Sequence, residues 1–218
     1  MSRQGFSTQC AISIFFRDNG VSERQSMYVY LANVDLVRFA GTCRVFNTEV
    51  RVYMRRRLCC CLQTFVGNPL LLLTAMRASQ TVISGSFALQ YIFGEGSVPW
   101  EVNDLDLYTV NGGEVRMKKE LESQGYASCC EGYAAHGAST PSSVKYAFRE
   151  VLEVINMKRG DNSINLIVLR SSSPILPILQ FHSMIVMNYI SASTMFSAYP
   201  WITSCYEGIP NPYLFFHK

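Results

Sequence analysis

The sequence predicts an α+β fold, in which a small helical segment precedes a domain of strands and helices. Residues 28–67 place their apolar side chains mostly three and four positions apart, which is the spacing of amphipathic helices. From about residue 75, short apolar runs alternate with amphipathic stretches and with turns rich in glycine, asparagine and proline, as in a chain that alternates strands and helices. With 49% apolar and 16% charged residues, the chain has enough apolar material for a buried core.

The segments follow one another in four parts. Residues 1–27 have no clear period and are predicted to form a loose segment. Asn33 is a candidate N-cap for the helices of 28–67, and Gly67–Asn68–Pro69 is predicted to end that segment. The strand-and-helix domain covers 75–205, and the aromatic tail 206–218 has no predicted structure.

The domain is predicted to contain three helices and four strands. The elements are a buried strand at 81–84, a helix at 87–93, a loop at 94–99, a strand at 105–110, a helix at 114–124 ended by Gly125, a loop at 131–143, strands at 148–157 and 164–169 joined by a turn at 158–162, and a buried helix at 174–190. His182 falls in the last helix, where a hydrogen-bonded core histidine is expected rather than a catalytic one.

Charge and cysteine placement narrow the class of protein. The net charge of +3 does not by itself indicate a nucleic-acid partner, and the arginines between 51 and 57 are interpreted as a solvated helix face. Three of the eight cysteines are consecutive, Cys59–Cys61, and adjacent cysteines rarely fit disulfide geometry. The best apolar run, at 69–76, is shorter than the ~20 residues that span a bilayer. We expect an intracellular protein, cytoplasmic or nuclear, without a membrane partner.

Two short motifs carry the candidate chemistry. Asp104 and Asp106 are separated by one residue on a predicted strand, so both carboxylates point to one side, about 6.5 Å apart at the backbone. Carboxylate pairs of this kind are suitable ligands for Mg²⁺. Gly85 lets a phosphate approach the backbone, and Ser86 offers its hydroxyl at the N-terminus of the following helix. Phosphoryl and nucleotidyl transfer need this combination of metal ligands and phosphate cradle.

The order of these features resembles the polymerase-β-type nucleotidyltransferase superfamily: a strand, a Gly-Ser turn, a helix and then Asp-x-Asp on a strand. The stretches Val82-Ile-Ser-Gly-Ser-Phe-Ala-Leu-Gln90 and Asn103-Asp-Leu-Asp-Leu-Tyr108 carry the match. The sequence is also similar to fungal proteins with the same core, including the Phe181–Asn188 segment. The resemblance implies a nucleotidyltransferase-like mixed β-sheet flanked by helices. It also implies that Gly85 and Ser86 bind the phosphates of a nucleoside triphosphate, and that Asp104 and Asp106 hold a catalytic Mg²⁺.

The sequence departs from this family at the third carboxylate, which the family carries on a later strand. The corresponding strand here reads Ile164-Asn-Leu-Ile167, so Asn165 is expected at that position. An amide can ligate a cation but is a poor general base. Asp161 and Glu153 are the alternatives, although neither is in the expected register. Two functions stay open: magnesium-dependent nucleotidyl transfer to an unknown acceptor, and a catalytically inactive binding or adaptor protein.

The stretch from Val34 to Phe46 resembles the later helices of an F-box motif. In that family the helices bind an adaptor subunit of a ubiquitin ligase. The usual Leu-Pro opening is missing here, and a plain helical cap on the second domain is the alternative. Neither the acceptor, the nucleotide nor a nucleic-acid partner is identified by the sequence.

Overall fold

The computed structural model describes residues 26–94, 99–129 and 150–212. It confirms the α+β class, because helices are followed by a mixed β-sheet that is flanked by helices. The chain divides into two compact units, Met1–Arg56 and Arg57–Lys218. Several predicted segments lie wholly or partly outside the described residues. They are the loose segment up to residue 25, positions 95–98 of the loop at 94–99, the loop at 131–143, the strand start at 148–149 and the tail from 213.

From residue 26 onward, the first unit contains α1 (Asn33–Ala40) and the beginning of α2 (Arg44–Leu62). Its core contains Tyr28, Leu36 and Val50. The prediction that Asn33 is the N-cap of α1 is wrong. Ala32 holds that position in an extended conformation, while Asn33 is the first helical residue and is only 7% exposed. A capping residue has a non-helical backbone conformation just before the helix, and Asn33 is already one residue inside it.

The second unit begins inside α2 and continues with short helices and strands. In chain order these are α3 (Pro69–Ala78), β1 (Val82–Ser84), α4 (Gly85–Phe93), β2 (Asp104–Val110), α5 (Glu114–Ser123), β3 (Ala127–Ser128), β4 (Val151–Arg159), β5 (Asn162–Leu169), β6 (Asn188–Ile190), β7 (Met195–Ser197) and α6 (Pro200–Ser204). Asn68 is the N-cap of α3 and accepts a hydrogen bond from the backbone N–H of Leu71 at 3.2 Å. Among the residues that the structure describes, no helix is both long and apolar enough to cross a membrane.

Within the described residues, seven strands form one mixed sheet in the order β3-β4-β5-β2-β1-β6-β7. β2 and β5 are parallel, and the other neighbouring pairs are antiparallel. The predicted hairpin of β4 and β5 is confirmed. Its turn is shorter than the predicted 158–162, because Arg159 already pairs with Asn162. Only Gly160 and Asp161 are left between the strands.

The buried helix predicted at 174–190 is wrong. Two 3₁₀ turns, Ile178–Gln180 and Met184–Val186, and strand β6 occupy this stretch. Proline residues at 174 and 177 have no N–H to donate, and β6 takes its backbone partners from β1 and β7. His182 lies between the two turns and is exposed, so the expectation that it is a core histidine is also wrong.

The two faces of the sheet bury different apolar residues. α4 packs on β1 and β2, and α3 packs on α5. Leu105, Leu107 and Leu166 alternate along β2 and β5 and are fully buried. A separate cluster joins Tyr108 to Val82, Ile167, Leu169 and Ile178. Alternation along β2 puts Tyr108 on the same face as Asp104 and Asp106.

Candidate functional site

A row of polar residues crosses four neighbouring strands of the sheet. Ser84 of β1 pairs with Asp106 of β2, and Asp106 pairs with Asn165 of β5. Asn165 in turn pairs with Asn156 of β4. Residues directly opposite one another in neighbouring strands lie on the same face of the sheet. The strand register therefore brings together residues that are far apart in the sequence.

The rows on either side of this polar row differ in character. One consists of Asp104, Ser163 and Lys158, and the other of Val82, Tyr108, Ile167 and Val154. Ile178 and Phe181 belong to the apolar cluster around the second of these rows. The two carboxylates therefore lie where this face of the sheet changes from apolar to polar.

The Asn165 amide bridges the two aspartates. Its Nδ2 donates to Asp106 Oδ1 at 2.8 Å and to Asp104 Oδ2 at 3.2 Å. Asp106 is 9% exposed, and Asp104 is partly buried. Two carboxylates this close repel each other, and N–H donors directed at both oxygens reduce that repulsion. Asn165 is thus the third polar residue of this group, beside Asp104 and Asp106. It lies at the position where the resemblance implies a carboxylate.

Gly85 stands directly against Asp106. Its backbone φ is +73°, and a Cβ built on it would come within 2.5 Å of Asp106 Oδ2. Conformation and space both require glycine here. Ser86 follows in the first turn of α4 and is partly buried. The structure therefore brings Gly85 and the aspartates together, with Ser86 one residue away.

Tyr108 lies two residues beyond Asp106 in β2 and is 2% exposed. Burial raises the pKa of its phenol above the ordinary value, and the negative charges of Asp106 and Asp104 raise it further. The phenol therefore stays protonated at neutral pH. Its ring packs edge-on against Phe181, with the centroids 6.1 Å apart.

Asp161 and Glu153, the two alternatives named from the sequence, lie elsewhere, and so does Glu150. Glu153 pairs with Val168, which is three residues from Asn165 in β5 and so on the opposite face of the sheet. Asp161 lies in the turn between β4 and β5, and Glu150 precedes β4. Among the residues that the structure describes, no three His, Cys, Asp or Glu side chains are grouped so that they could hold a metal ion.

The donor set at the pair is compatible with Mg²⁺. Asp104 and Asp106 offer carboxylate oxygens, and Asn165 would offer its Oδ1 if the amide turned over. Mg²⁺ commonly takes one or two protein carboxylates and completes its shell with waters and substrate phosphates. Its binding would replace the N–H donors of Asn165 as the positive partner of the two carboxylates.

Comparison with known proteins gives no relative. No protein-family model, no curated protein and no solved structure matches this chain. Its function is therefore inferred from the residues of the site.

Sequence reasoning missed Ser84 and Asn156, the two ends of the polar row. Ser84 is fully buried, and its Oγ donates to the backbone carbonyl of Asn188 at 2.6 Å. Asn156 interrupts the apolar positions of β4, and a two-residue turn at Gly160–Asp161 places it opposite Asn165. A correct turn length would have identified Asn156, whereas nothing local indicates the partner of Ser84.

Proposed function

We propose that the second unit binds a magnesium complex of a nucleoside triphosphate, as a nucleotidyltransferase-like domain that does not transfer the nucleotidyl group. One observation carries this proposal: the Asn165 amide contacts both Asp104 and Asp106. The resemblance implies a third carboxylate at this position, and an amide takes its place.

Support for the nucleotide comes from the neighbours of the aspartates. Gly85 begins α4 and lies against Asp106. The first turn of a helix carries N–H groups without intrahelical partners and favours negative charge. A phosphate bound there would lie close to two carboxylates able to hold Mg²⁺, which is the cation that triphosphates carry.

The amide of Asn165 is the feature that separates binding from catalysis. Two carboxylates and an amide provide two negative charges, and the amide cannot accept a proton from an attacking hydroxyl. Magnesium-dependent transfer to an unknown acceptor is the competing function, and it shares the same binding step. Turnover therefore distinguishes the two, and affinity does not.

Calorimetry with ATP, GTP, CTP and UTP tests the binding step. We expect at least one triphosphate to bind the wild-type chain with Mg²⁺, and to bind about tenfold more weakly when EDTA replaces the metal. The double variant Asp104→Asn/Asp106→Asn should lose this dependence on Mg²⁺. Glu153→Gln is the matched control, because it removes a carboxylate from the opposite face of the sheet. If no triphosphate binds in a Mg²⁺-dependent manner, the proposal is wrong.

Asn165→Asp tests the role of the amide. A third carboxylate beside the first two should lower the free energy of unfolding by about 1–3 kcal/mol without metal, and Mg²⁺ should restore much of that loss. Asn156→Asp is the control, since it adds the same charge to the same row one strand further away. Thermal unfolding with and without Mg²⁺ measures both effects.

Transfer of radiolabel from α-³²P-labelled triphosphates to candidate acceptors then separates binding from catalysis. We expect no transfer by the wild-type chain. Turnover by the wild-type chain that is lost in Asp104→Asn/Asp106→Asn would establish the competing enzymatic function instead.

The F-box-like segment stays a separate prediction for the first unit. Val37 of α1 and Val45 of α2 are 61% and 62% exposed, and exposed apolar residues are common where a partner binds. A pull-down of the full chain with the adaptor subunit of an F-box ubiquitin ligase tests it. Val37→Asp and Val45→Asp should abolish capture if these helices form the contact.

A further inference from the structure

A second candidate site is a cavity of about 460 Å³ within the second unit. Its walls come from the end of α2, from α4, from the residues just before β2 and from the turn between β4 and β5. Asp104, Asp106 and Asn165 do not line it. The volume is within the range of small-molecule sites, about 300–1,000 Å³. The cavity is therefore large enough for a ligand, and the aspartate pair does not form part of its wall.

Aromatic side chains form one part of the wall. Phe65 and Phe87 contact each other edge to face, with centroids 5.8 Å apart, and both are 3% exposed. Tyr91 is 5% exposed and lies under the guanidinium of Arg57, whose Cζ is 4.7 Å from the ring centroid. Rigid aromatic walls of this kind favour a flat, ring-shaped ligand.

Amide side chains form a second part of the wall. Gln90, Asn103 and Asn162 all line the cavity, and Asn162 is anchored because its Nδ2 donates to the Thr64 carbonyl at 2.8 Å. Each side-chain amide carries both donors and an acceptor. The hydrogen-bonding edge of a nucleobase also presents donors and acceptors side by side. Amides beside aromatic rings therefore match the chemistry of a base.

The charges around the cavity disfavour phosphate. Among the described residues that line it, two are exposed carboxylates, Glu101 and Asp161, and one is a cation, Arg57. That guanidinium already donates to the backbone carbonyl of Tyr91 at 2.5 Å. A phosphorylated ligand would bring more negative charge toward the carboxylates, whereas an uncharged or cationic ligand would not.

We infer that this cavity binds a nucleobase or nucleoside without phosphate, at a site distinct from the aspartate pair. The inference does not depend on the proposed function, because it uses neither the carboxylate pair nor Mg²⁺. Aromatic walls select the ring, amides recognise its edge, and Glu101 and Asp161 exclude the nucleotide.

The test is calorimetry of the full chain with adenosine, guanosine, cytidine and uridine and with their 5′-monophosphates, in EDTA. We expect at least one nucleoside to bind with a Kd below about 1 mM, and its monophosphate to bind at least about threefold more weakly. Gln90→Leu keeps the approximate size of the side chain and removes the amide, so it should weaken binding about tenfold. Gln63→Leu is the control, because Gln63 is exposed and does not line the cavity.

Two further variants separate this site from the aspartate pair. Asn103→Ala should also weaken nucleoside binding. By contrast, Asp104→Asn/Asp106→Asn should leave the affinity for the nucleoside within about twofold of the wild-type value. The inference is overturned if no nucleoside binds at about 5 mM, if the monophosphate binds as tightly, or if the aspartate variant removes binding. If the wild-type chain binds a nucleoside but binds no triphosphate in a Mg²⁺-dependent manner, the proposed function alone is contradicted.

Discussion

Asn165 contacts both members of the aspartate pair. Its Nδ2 is within hydrogen-bonding distance of one oxygen on each aspartate, so it stabilises two like charges in the same place. The spacing of Asp104 and Asp106 predicted that both carboxylates lie on one side of a strand, because alternation is a local property of β-structure. Their joint contact with Asn165 depends on strand pairing and could not be read from spacing.

Gly85 is the residue where a small change should have a large structural effect. Gly85→Ala would place a Cβ against Asp106 at a backbone φ of +73°, and we expect it to lower the free energy of unfolding by about 2–4 kcal/mol. Gly160→Ala is the matched control, since Gly160 has φ +56° with nothing within 4 Å of the added Cβ. Gly160→Ala should lower the free energy of unfolding by only about 1 kcal/mol.

Urea unfolding of both glycine variants measures the difference. Equal losses would show that the backbone conformation alone requires glycine at position 85, and that Asp106 does not restrict the space there.

Among the elements, β5 connects the two halves of the sheet. It pairs with β2 in parallel and with β4 in the opposite direction, and it carries Asn165 on one face and Leu166 on the other. Hairpins such as β4–β5 are predictable because their turn and their alternation are local. The parallel pairing of β5 with β2 is not predictable in this way, because a long connection separates the two strands.

Leu166→Ala tests how much β5 contributes. Leu166 is fully buried, and removing its side chain leaves a cavity, so we expect a loss of about 2–5 kcal/mol in the free energy of unfolding. Leu71→Ala in α3 is the control, because Leu71 is 49% exposed, and it should cost less than about 1 kcal/mol. Similar losses in denaturant unfolding would mean that β5 is not part of the main core.

At the level of the whole molecule, one carbonyl joins three separate parts of the second unit. The Phe65 carbonyl, between α2 and α3, accepts a hydrogen bond from the Tyr126 hydroxyl and another from the Arg159 guanidinium, both at 2.6 Å. The Arg159 Cζ also lies 5.0 Å from the centre of the Tyr126 ring. These contacts connect residues 61 and 94 positions apart.

Tyr126 should make the stability of the chain fall at alkaline pH. Burial raises the pKa of its phenol above 10.0, and the charge of Arg159 offsets part of that rise. The unfolded chain then loses this proton at lower pH than the folded chain. The contribution of the Tyr126 phenol to the free energy of unfolding is therefore intact below about pH 10, and it declines as pH rises through the folded pKa. Unfolding free energies between pH 8 and 11 should show a steeper decline in wild type than in Tyr126→Phe.

Tyr30→Phe is the control for this titration, because Tyr30 is 88% exposed. Its pH profile should follow that of the wild-type chain. An unchanged profile in Tyr126→Phe would contradict the linkage, whereas a loss of about 1 kcal/mol at every pH reports only the missing hydrogen bond.

Local features of this protein follow from the amino-acid sequence alone. The Gly-Ser turn, the alternation of Asp104 and Asp106, the β4–β5 hairpin and the α+β class each depend on neighbours within a few residues, where propensity and periodicity act. The stretch at 174–190 shows the limit. Its composition is apolar enough for a helix, yet pairing with β1 and β7 takes its last residues into the sheet.

Tertiary folding decides which residues meet at the candidate site. Asn165 reaches Asp104 and Asp106 across 61 and 59 positions of chain, and Ser84 and Asn156 join the same row from two other strands. Periodicity specifies the face on which a side chain lies, but register specifies its neighbour across the sheet. The resemblance predicted Asn165 at the position of the third carboxylate. Register depends here on a parallel pairing over a long connection, so only the folded chain shows that the Asn165 amide contacts both aspartates.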